Sequence, residues 1–410
     1  MFYYISDTAK LDSLSYQQRV KEKNIKHIFD LLRSGACESR AELVRAMSLS
    51  ATSISALVED LESLGYLEES GPKLTTQPGR RPIRLIFNDN SKCIVNFSLY
   101  QRGIRYSLLN LRCQVLETIF VEYDSRQCTD SDAGRCYSAC FMDILANRSR
   151  LYDPARIICI GITIPGVYRP SSQTFYMTSS ISVRFSEQSM IDFQRQTGLP
   201  VYLANATVCQ AYAEKKHRDA QIEGKAPIQH MLYVNVCDGV GASVISNGNI
   251  LIGPNNNAGE MGHMTIDYDG RPCACGNRGC LERYVNLNTI LQECQEACES
   301  IGTEVPETFE ALAERFQGLP AVEDRLLKAA GYLATGIYNM ICATGIQRIV
   351  LGGGIELLGE GFLEQLREKV CSHTRLFSDE LNLDYAAAGS QADDVGLAHY
   401  YLDKVFTITY

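Results

Sequence analysis

One histidine and three cysteines lie close together in a single stretch of the sequence: His263, Cys273, Cys275 and Cys280. One imidazole and three thiolates form a ligand set that suits tetrahedral zinc. A disulfide between Cys273 and Cys275 would be strained, and redox pairs usually have two residues between their cysteines, whereas this pair has one. The spacing therefore predicts a zinc site. Because four protein ligands leave no open position for water, we expect the Zn2+ to be structural.

The composition is typical of a soluble globular protein with two or three domains. The 410 residues are 45% hydrophobic and 21% charged, which provides enough apolar material for sizeable cores. No apolar run is long enough to span a bilayer and the first residues lack a signal-peptide pattern, so we expect a cytoplasmic protein with no membrane partner. Most of the 16 cysteines should then be free thiols. The net charge of −9 excludes a protein that is basic throughout, but it leaves room for a local DNA-binding surface.

The N-terminal part differs from the rest of the chain in its charge. Residues 1–90 hold twelve basic and twelve acidic residues, so the remainder carries the whole negative excess. This asymmetry fits a separate N-terminal module whose partner is a polyanion.

The N-terminal segment predicts a winged helix-turn-helix domain over residues 1–88. Apolar residues at helical spacing, from Ile25 to Leu32, mark the buried face of a first helix. Ser39 and Ser50 are placed to cap a second and a third helix. An extended segment, a Gly-Pro turn and a second extended segment follow, as expected for a wing.

The start of the third helix and the wing are the parts that we expect to contact DNA. Base edges are reached from the first turns of such a helix, and an arginine pair in a wing suits a narrow minor groove or phosphates. The predicted DNA-contacting residues are Ser50, Ala51, Thr52, Ser53, Ser55, Arg80 and Arg81. The alternative is a three-helix interaction module with a solvated arginine pair.

The remaining sequence predicts an α/β protein with two related lobes. Apolar and polar residues alternate in 92–124, as in the strands of a hairpin sheet, and a similar order of strand pair, helices and buried strand recurs later. We expect the first lobe at residues 91–205, rejoined by a C-terminal helix at 390–405. The second lobe, with the zinc site, should occupy residues 206–389.

Four motifs occur in the order that is found in the ROK family (repressors, open reading frames, kinases). They are "IPG" after a strand, "AGEMGH", "CACGNRGCLE" and "IVLGGG", and the cysteine motif is the most specific. The resemblance covers nearly the whole chain, including the winged helix of the repressor branch. The chain looks most similar to sugar-responsive repressors of the xylose or N-acetylglucosamine type. This resemblance implies two ribonuclease-H-like lobes, as in the sugar kinase–actin superfamily.

The resemblance also implies a sugar site. The residues at positions that hold sugar hydroxyls in the family are Asn205, Glu260, His263 and Glu282. In the family's kinases an Asp follows the Asn and acts as the general base. This chain has Ala206 there, and a methyl group cannot accept a proton.

The two phosphate loops of the family's kinases are changed as well. The loop that reads Asp-x-Gly-Gly-Thr in the family begins here at Asn96 and has neither the acid nor the glycines. The second loop, usually Gly-Thr-Gly, contains Asp238, which would repel phosphate. We therefore expect that the chain is not an enzyme.

These observations together predict a transcriptional repressor of carbohydrate-metabolism genes. It would bind a palindromic double-stranded DNA operator as a homodimer or homotetramer, because two half-sites require two-fold symmetry. A small sugar or sugar phosphate would act as the inducer. Two alternatives remain: a repressor whose vestigial cleft is controlled by a protein partner, and a sugar kinase with an accessory DNA module.

Overall fold

The structure is a computed structural model, and it describes residues 2–4, 15–72, 82–100, 103–123, 132–169, 172–177, 184–221, 226–254, 257–373 and 381–408. The chain divides into two compact units. The first unit comprises residues 2–163, 186–204 and 397–410, and the second comprises residues 164–185 and 205–396. The three domains predicted from the sequence, at residues 1–88, 91–205 and 206–389, stay predictions.

The N-terminal part of the first unit contains three helices and a two-stranded antiparallel sheet. Its elements are β1 (Phe2–Tyr4), α1 (Tyr16–Arg33), α2 (Arg40–Met47), α3 (Ala51–Ser63), β2 (Leu67–Pro72) and β3 (Ile83–Phe87). The predicted caps are confirmed, because Ser39 and Ser50 accept hydrogen bonds from the backbone N–H groups of Glu42 and Ser53. Each cap satisfies a backbone donor that the first helical turn leaves unpaired.

The predicted apolar face of α1 is also confirmed. Ile25, Ile28, Phe29 and Leu32 are buried. The ring of Phe29 makes edge-to-face contacts with Tyr66 and with a β3 residue, so α1 packs directly onto the small sheet. Burial of this face favours the helix more than local propensity does.

A six-stranded sheet forms the centre of the first unit, in the order β1-β11-β7-β4-β5-β6. The strands after β3 are β4 (Cys93–Tyr100), β5 (Gly103–Asn110), β6 (Val115–Glu122), β7 (Ile157–Ile164) and β11 (Val201–Asn205). Strands β4, β5 and β6 are antiparallel, whereas β4 and β7 are parallel. Almost all of β4 is buried, as expected for a central strand, while the edge strand β6 alternates in exposure. The helices α4 (Ala133–Asp143) and α5 (Glu187–Thr197) belong to this unit.

The second unit is built on a five-stranded sheet with the order β14-β13-β12-β15-β16. Its strands are β12 (Met231–Val236), β13 (Val240–Ser246), β14 (Asn249–Ile250), β15 (Arg348–Gly352) and β16 (Asn382–Tyr385). A smaller sheet contains β8 (Gly166–Arg169), β9 (Thr174–Met177) and β10 (Arg184–Ser186). Strand β12 is buried along its whole length and pairs in parallel with β15.

Helices cover the five-stranded sheet with a large apolar core. They are α6 (Ala206–Gln221), α7 (Glu282–Val285), α8 (Leu287–Ser300), α9 (Phe309–Ala311), α10 (Pro320–Thr344), α11 (Gly359–His373) and the start of α12 (Ala392–Tyr400). The chain turns from β15 into the following 3-10 turn through Gly353 and Gly354, whose positive φ angles favour glycine. In the described part of the chain, no helix is long and apolar enough to cross a membrane.

Candidate functional site

The predicted metal ligands converge in the second unit. His263 ends a 3-10 turn (Met261–His263), and the three cysteines lie on the loop that follows. That loop is folded back on itself by a bridge between Thr265 and Cys280. Gly279 has a φ of 67°, and a Cβ there would lie 1.6 Å from the backbone oxygen of Asp267, so only glycine fits this tight turn.

The distances within this cluster fit a tetrahedral ion. One donor atom from each of the four residues lies within 4.8 Å of all the others. The Cys275 and Cys280 sulfurs are 3.6 Å apart, and Nδ1 of His263 is 3.8 Å from the Cys273 sulfur. Zn–S bonds of about 2.3 Å separate two sulfurs of a tetrahedral site by about 3.8 Å. The geometry and chemistry of these donors therefore suit a metal ion, and zinc in particular.

Two of the predicted sugar-facing carboxylates lie beside this cluster. Glu282, the buried first residue of α7, has Oε1 at 3.0 Å from the Cys273 sulfur and 3.5 Å from Nδ1 of His263. Glu260 has Oε2 at 3.9 Å from Nε2 of His263. Burial raises the pKa of Glu260, and the imidazole of His263 opposes that shift. The His263 ring therefore has one nitrogen at the thiols and the other toward Glu260.

Asn205 lies next to Glu260 on the wall of a small cavity of about 30 Å3. Its side-chain oxygen accepts from the backbone N–H of Val208, which caps the start of α6, and its amide donates to the backbone oxygen of Gly166. Thr207 lines the same cavity, although the sequence did not mark it as a site residue. Its position two residues after Asn205 is a signal that could have identified it. The structure thus brings Asn205 and Glu260 together, and Glu260 together with His263 and Glu282.

The residues that the resemblance assigns to the kinase phosphate loops contact neighbouring side chains. Asn96 is completely buried, and its amide nitrogen lies 3.0 Å from the Ser98 hydroxyl and 3.2 Å from the Thr163 hydroxyl. Those two hydroxyls are themselves 2.6 Å apart. All three side chains are neutral. In the second unit, Asp238 accepts a hydrogen bond from Asn288.

The predicted DNA-contacting residues of α3 lie at its N-terminus. Ala51, Thr52 and Ser53 are exposed, while Ser55 is half-buried and its backbone oxygen accepts from Arg40. Ser50 is exposed but serves as the cap of the helix. The two predicted wing residues, Arg80 and Arg81, lie outside the described residues.

Comparison with known proteins places this site in a family. A family model described as "ROK family" matches residues 146–402. The chain belongs to the ROK family. The resemblance inferred from the four sequence motifs is therefore confirmed.

The ROK proteins that it resembles include repressors and kinases. It is 27% identical over 343 residues to a putative xylose repressor of Caldicellulosiruptor sp. (strain Rt8B.4), covering 81% of this chain and 83% of that protein. It is 26% identical over 393 residues to the xylose repressor of Bacillus subtilis (strain 168), covering 94% of this chain and 97% of that protein. An N-acetylmannosamine kinase of Vibrio cholerae is 28% identical over 53% of this chain and 72% of the kinase. The expected similarity to xylose-type repressors is confirmed.

Solved ROK structures share the fold. A ROK family transcriptional regulator, a homologue of the E. coli MLC protein, superposes with a TM-score of 0.75 and 21% identity over 92% of this chain and 95% of that one. The ROK hexokinase from Thermus thermophilus superposes with a TM-score of 0.57 and 25% identity over 75% of this chain and 97% of that one. The chain therefore has the ROK sugar-kinase-like fold.

Proposed function

We propose that this ROK protein is a DNA-binding transcriptional repressor of carbohydrate-metabolism genes, with a sugar-sensing part that has lost kinase activity. The observation that carries this proposal is the extent of its similarity to other proteins. Repressor relatives align with up to 96% of the chain, whereas the N-acetylmannosamine kinase of Vibrio cholerae aligns with 53%. A role as a repressor gives the N-terminal part a function, whereas a sugar kinase has no need of that part.

The N-terminal helices and sheet would form a winged helix-turn-helix. The exposed first turn of α3 (Ala51, Thr52 and Ser53) would face base edges, with Ser55 behind it and Ser50 holding the helix start. Arg80 and Arg81 would contact phosphates or the minor groove from the wing. The alternative is that this part is a protein-interaction module. Binding to DNA fragments would distinguish the two roles, because only the winged helix-turn-helix should retain DNA.

The four-residue cluster would hold a structural Zn2+ ion through Nδ1 of His263 and the sulfurs of Cys273, Cys275 and Cys280. When bound, the ion supplies rigidity to the loop and no catalytic step, since four protein ligands complete its coordination. The cluster orients the His263 ring so that Nε2 faces the side of Glu260. It also anchors the loop that leads into Glu282.

A small sugar or sugar phosphate would bind as inducer against Asn205, Glu260, His263 and Glu282. Carboxylates accept strong hydrogen bonds from sugar hydroxyls, and Nε2 of His263 adds a further polar group. The small cavity beside Asn205 and Glu260 is compatible with a close contact to one sugar hydroxyl. Binding would change the separation of two DNA-binding parts in a homodimer or homotetramer and release the operator.

Loss of kinase activity follows from three substitutions that act independently. Ala206 removes the general base from the first residue of α6. Asn96 carries a neutral amide, which contacts Ser98 and Thr163 and offers no charge to a metal-nucleotide. Asp238 would repel a phosphate group.

The test is to capture genomic DNA fragments with the purified protein and sequence them, and then to titrate the recovered operator in the presence of sugars. We expect a two-fold symmetric operator near carbohydrate genes, and release by at least one free sugar or sugar phosphate. A Glu260→Gln variant should bind the operator normally but respond poorly to that sugar. Operator affinity that no sugar changes would favour the repressor with a vestigial cleft and a protein partner. Failure to retain any DNA would overturn the proposal.

A further inference from the structure

A second cavity, of about 290 Å3, lies within the second unit. Its walls come from α6, β12, the Gly352–Gly353 turn and the segment 386–392. None of the residues proposed to face the inducer lines it. Its volume is at the lower end of the range for small-molecule sites. We call it the Tyr233 cavity.

Tyr233 is one of the polar residues that line this cavity. The residue is only 3% exposed, and no hydrogen-bond partner for its hydroxyl occurs among the residues that the structure describes. A Cβ on Gly352 would lie 2.3 Å from that oxygen, so glycine is required beneath it. Burial raises the pKa of Tyr233, which keeps the hydroxyl protonated as a donor.

Gln210 supplies the complementary group. It lines the same cavity from α6, and its side-chain oxygen is buried with no donor in the described part of the chain. A buried acceptor that lacks a donor is costly to a fold. A ligand that both accepts and donates hydrogen bonds would satisfy the two groups together.

Ionic and backbone contacts join α6 to the segment 386–392 along this cavity. Glu214 is completely buried, and its two oxygens accept from Arg218 at 2.5 Å and from the backbone N–H groups of Ala387 and Ala388 at 2.9 Å. Arg218 also donates to Asp384 and to the backbone oxygen of the next residue. The cavity is therefore held open by a network and does not depend on one mobile side chain.

The charge of the lining decides which ligands fit. Glu214 and Glu356 are acidic, and no lysine, arginine or histidine occurs among the described residues that line the cavity. Phosphates and carboxylates are excluded because like charges repel in a partly desolvated site. The glycine and alanine residues of the walls leave room for a compact ring.

We propose that the Tyr233 cavity binds an uncharged polyol of monosaccharide size, whose hydroxyl groups accept from Tyr233 and donate to Gln210. A hydroxyl group both donates and accepts, which matches the unpaired groups of the wall. This site is separate from the inducer site around Glu260 and does not depend on the function proposed above.

The test uses saturation-transfer NMR and calorimetry on the full chain with D-xylose, D-glucose, N-acetyl-D-mannosamine and myo-inositol, and with glucose 6-phosphate as a charged probe. We expect at least one neutral probe to bind wild type, and its Kd to rise tenfold or more in Tyr233→Phe and in Gln210→Leu. Tyr268→Phe is the matched control, because Tyr268 is 87% exposed and lies outside the cavity. Glucose 6-phosphate should not compete.

Three outcomes distinguish this site from the inducer site and from a water-filled space. Binding that survives Glu260→Gln but not Tyr233→Phe supports the proposal even if no sugar releases the operator. Binding that Glu260→Gln abolishes and Tyr233→Phe leaves unchanged overturns it, as does the absence of binding by every neutral probe. Loss of the hydroxyl should leave the melting temperature unchanged or raise it, so weaker binding in Tyr233→Phe would not reflect misfolding.

Discussion

The guanidinium of Arg33, the last residue of α1, forms an ion pair with the carboxylate of Asp403 near the end of the chain. Both side chains are largely buried, with exposed fractions of 11% and 13%. Beside them the ring of Phe406 packs against two aromatic rings. Its centroid is 5.4 Å from that of Phe29 and 6.2 Å from that of Tyr66. The last residues of the chain therefore hold the N-terminal helices in place.

The turn between β5 and β6 joins the same contact. Arg112 donates to the backbone oxygen of Arg33 at 2.6 Å and pairs with Asp89 at 2.7 Å. Three sequence-distant segments thus meet at the C-terminal end of α1. In a repressor, such a contact would make the DNA-binding part move with the first unit rather than on a loose tether.

The Arg33–Asp403 pair should stabilise the docking of α1. We expect Asp403→Ala to weaken this docking by about 1–3 kcal/mol, because it removes the shorter ion pair of a partly buried guanidinium and leaves the 3.8 Å pair with Asp30. Hydrogen exchange of peptides from α1 should become faster. The summed losses of docking free energy in Arg33→Ala and Asp403→Ala should exceed the loss in the double variant. The reason is that each single change already breaks the same ion pair.

The control for this experiment is Asp192→Ala. Asp192 pairs with Arg195 on the surface of α5, where the two side chains are 58% and 73% exposed, and such pairs contribute little. Unchanged exchange of α1 in Asp403→Ala would show that the C-terminal segment does not hold the N-terminal helices.

The metal cluster makes a prediction about composition. Elemental analysis should find about one zinc per chain, since the four ligands define one closed site. Cys280→Ser should lose the metal and lower the melting temperature. Cys298→Ser is the matched control, because Cys298 is equally buried but belongs to α8 and not to the cluster. A metal-free wild-type protein with an unchanged melting temperature would contradict the assignment.

The proposed loss of the kinase site predicts that one substitution will not produce kinase activity. Wild type and Ala206→Asp should both give no sugar phosphate from ATP and a panel of sugars. The new carboxylate would restore only the general base, while the Asn96 network and Asp238 would still disfavour the metal-nucleotide. The ROK hexokinase from Thermus thermophilus serves as the positive control. Turnover above a protein-free blank in wild type would identify the chain as a kinase.

The sequence predicted the local features of this structure better than its long-range contacts. The caps at Ser39 and Ser50 depend on residues three positions away, and the cluster of His263 with the cysteines depends on one loop, so both could be predicted from spacing. The Arg33–Asp403 pair joins residues 370 positions apart. No local pattern encodes it, because it exists only once both ends of the chain have packed on the same unit.

The same limit explains the polar residues of the interior. The resemblance predicted that Asn96 stands in place of an acid, but not that Ser98 and Thr163 would contact its amide nitrogen, since Thr163 lies on a neighbouring strand. Likewise, the burial of Glu214 could not be predicted from the sequence, because its carboxylate accepts from backbone N–H groups of the distant segment 386–392. Both side chains make hydrogen bonds inside the protein, and their partners are set by the tertiary fold.

The proposed wing predicts a salt-dependent contribution to DNA binding. Arg80→Ala and Arg81→Ala should each weaken operator binding and reduce the slope of log K against log salt by about 0.9 for every phosphate that the variant no longer neutralises. Thr52→Ala should leave that slope unchanged, because a neutral side chain at a base edge releases no counterion. Arg195→Ala, on the exposed surface of α5, is the control for removal of positive charge elsewhere. Equal slopes in wild type and both wing variants would show that Arg80 and Arg81 do not touch the DNA, and the exposed turn of α3 would then have to account for binding alone.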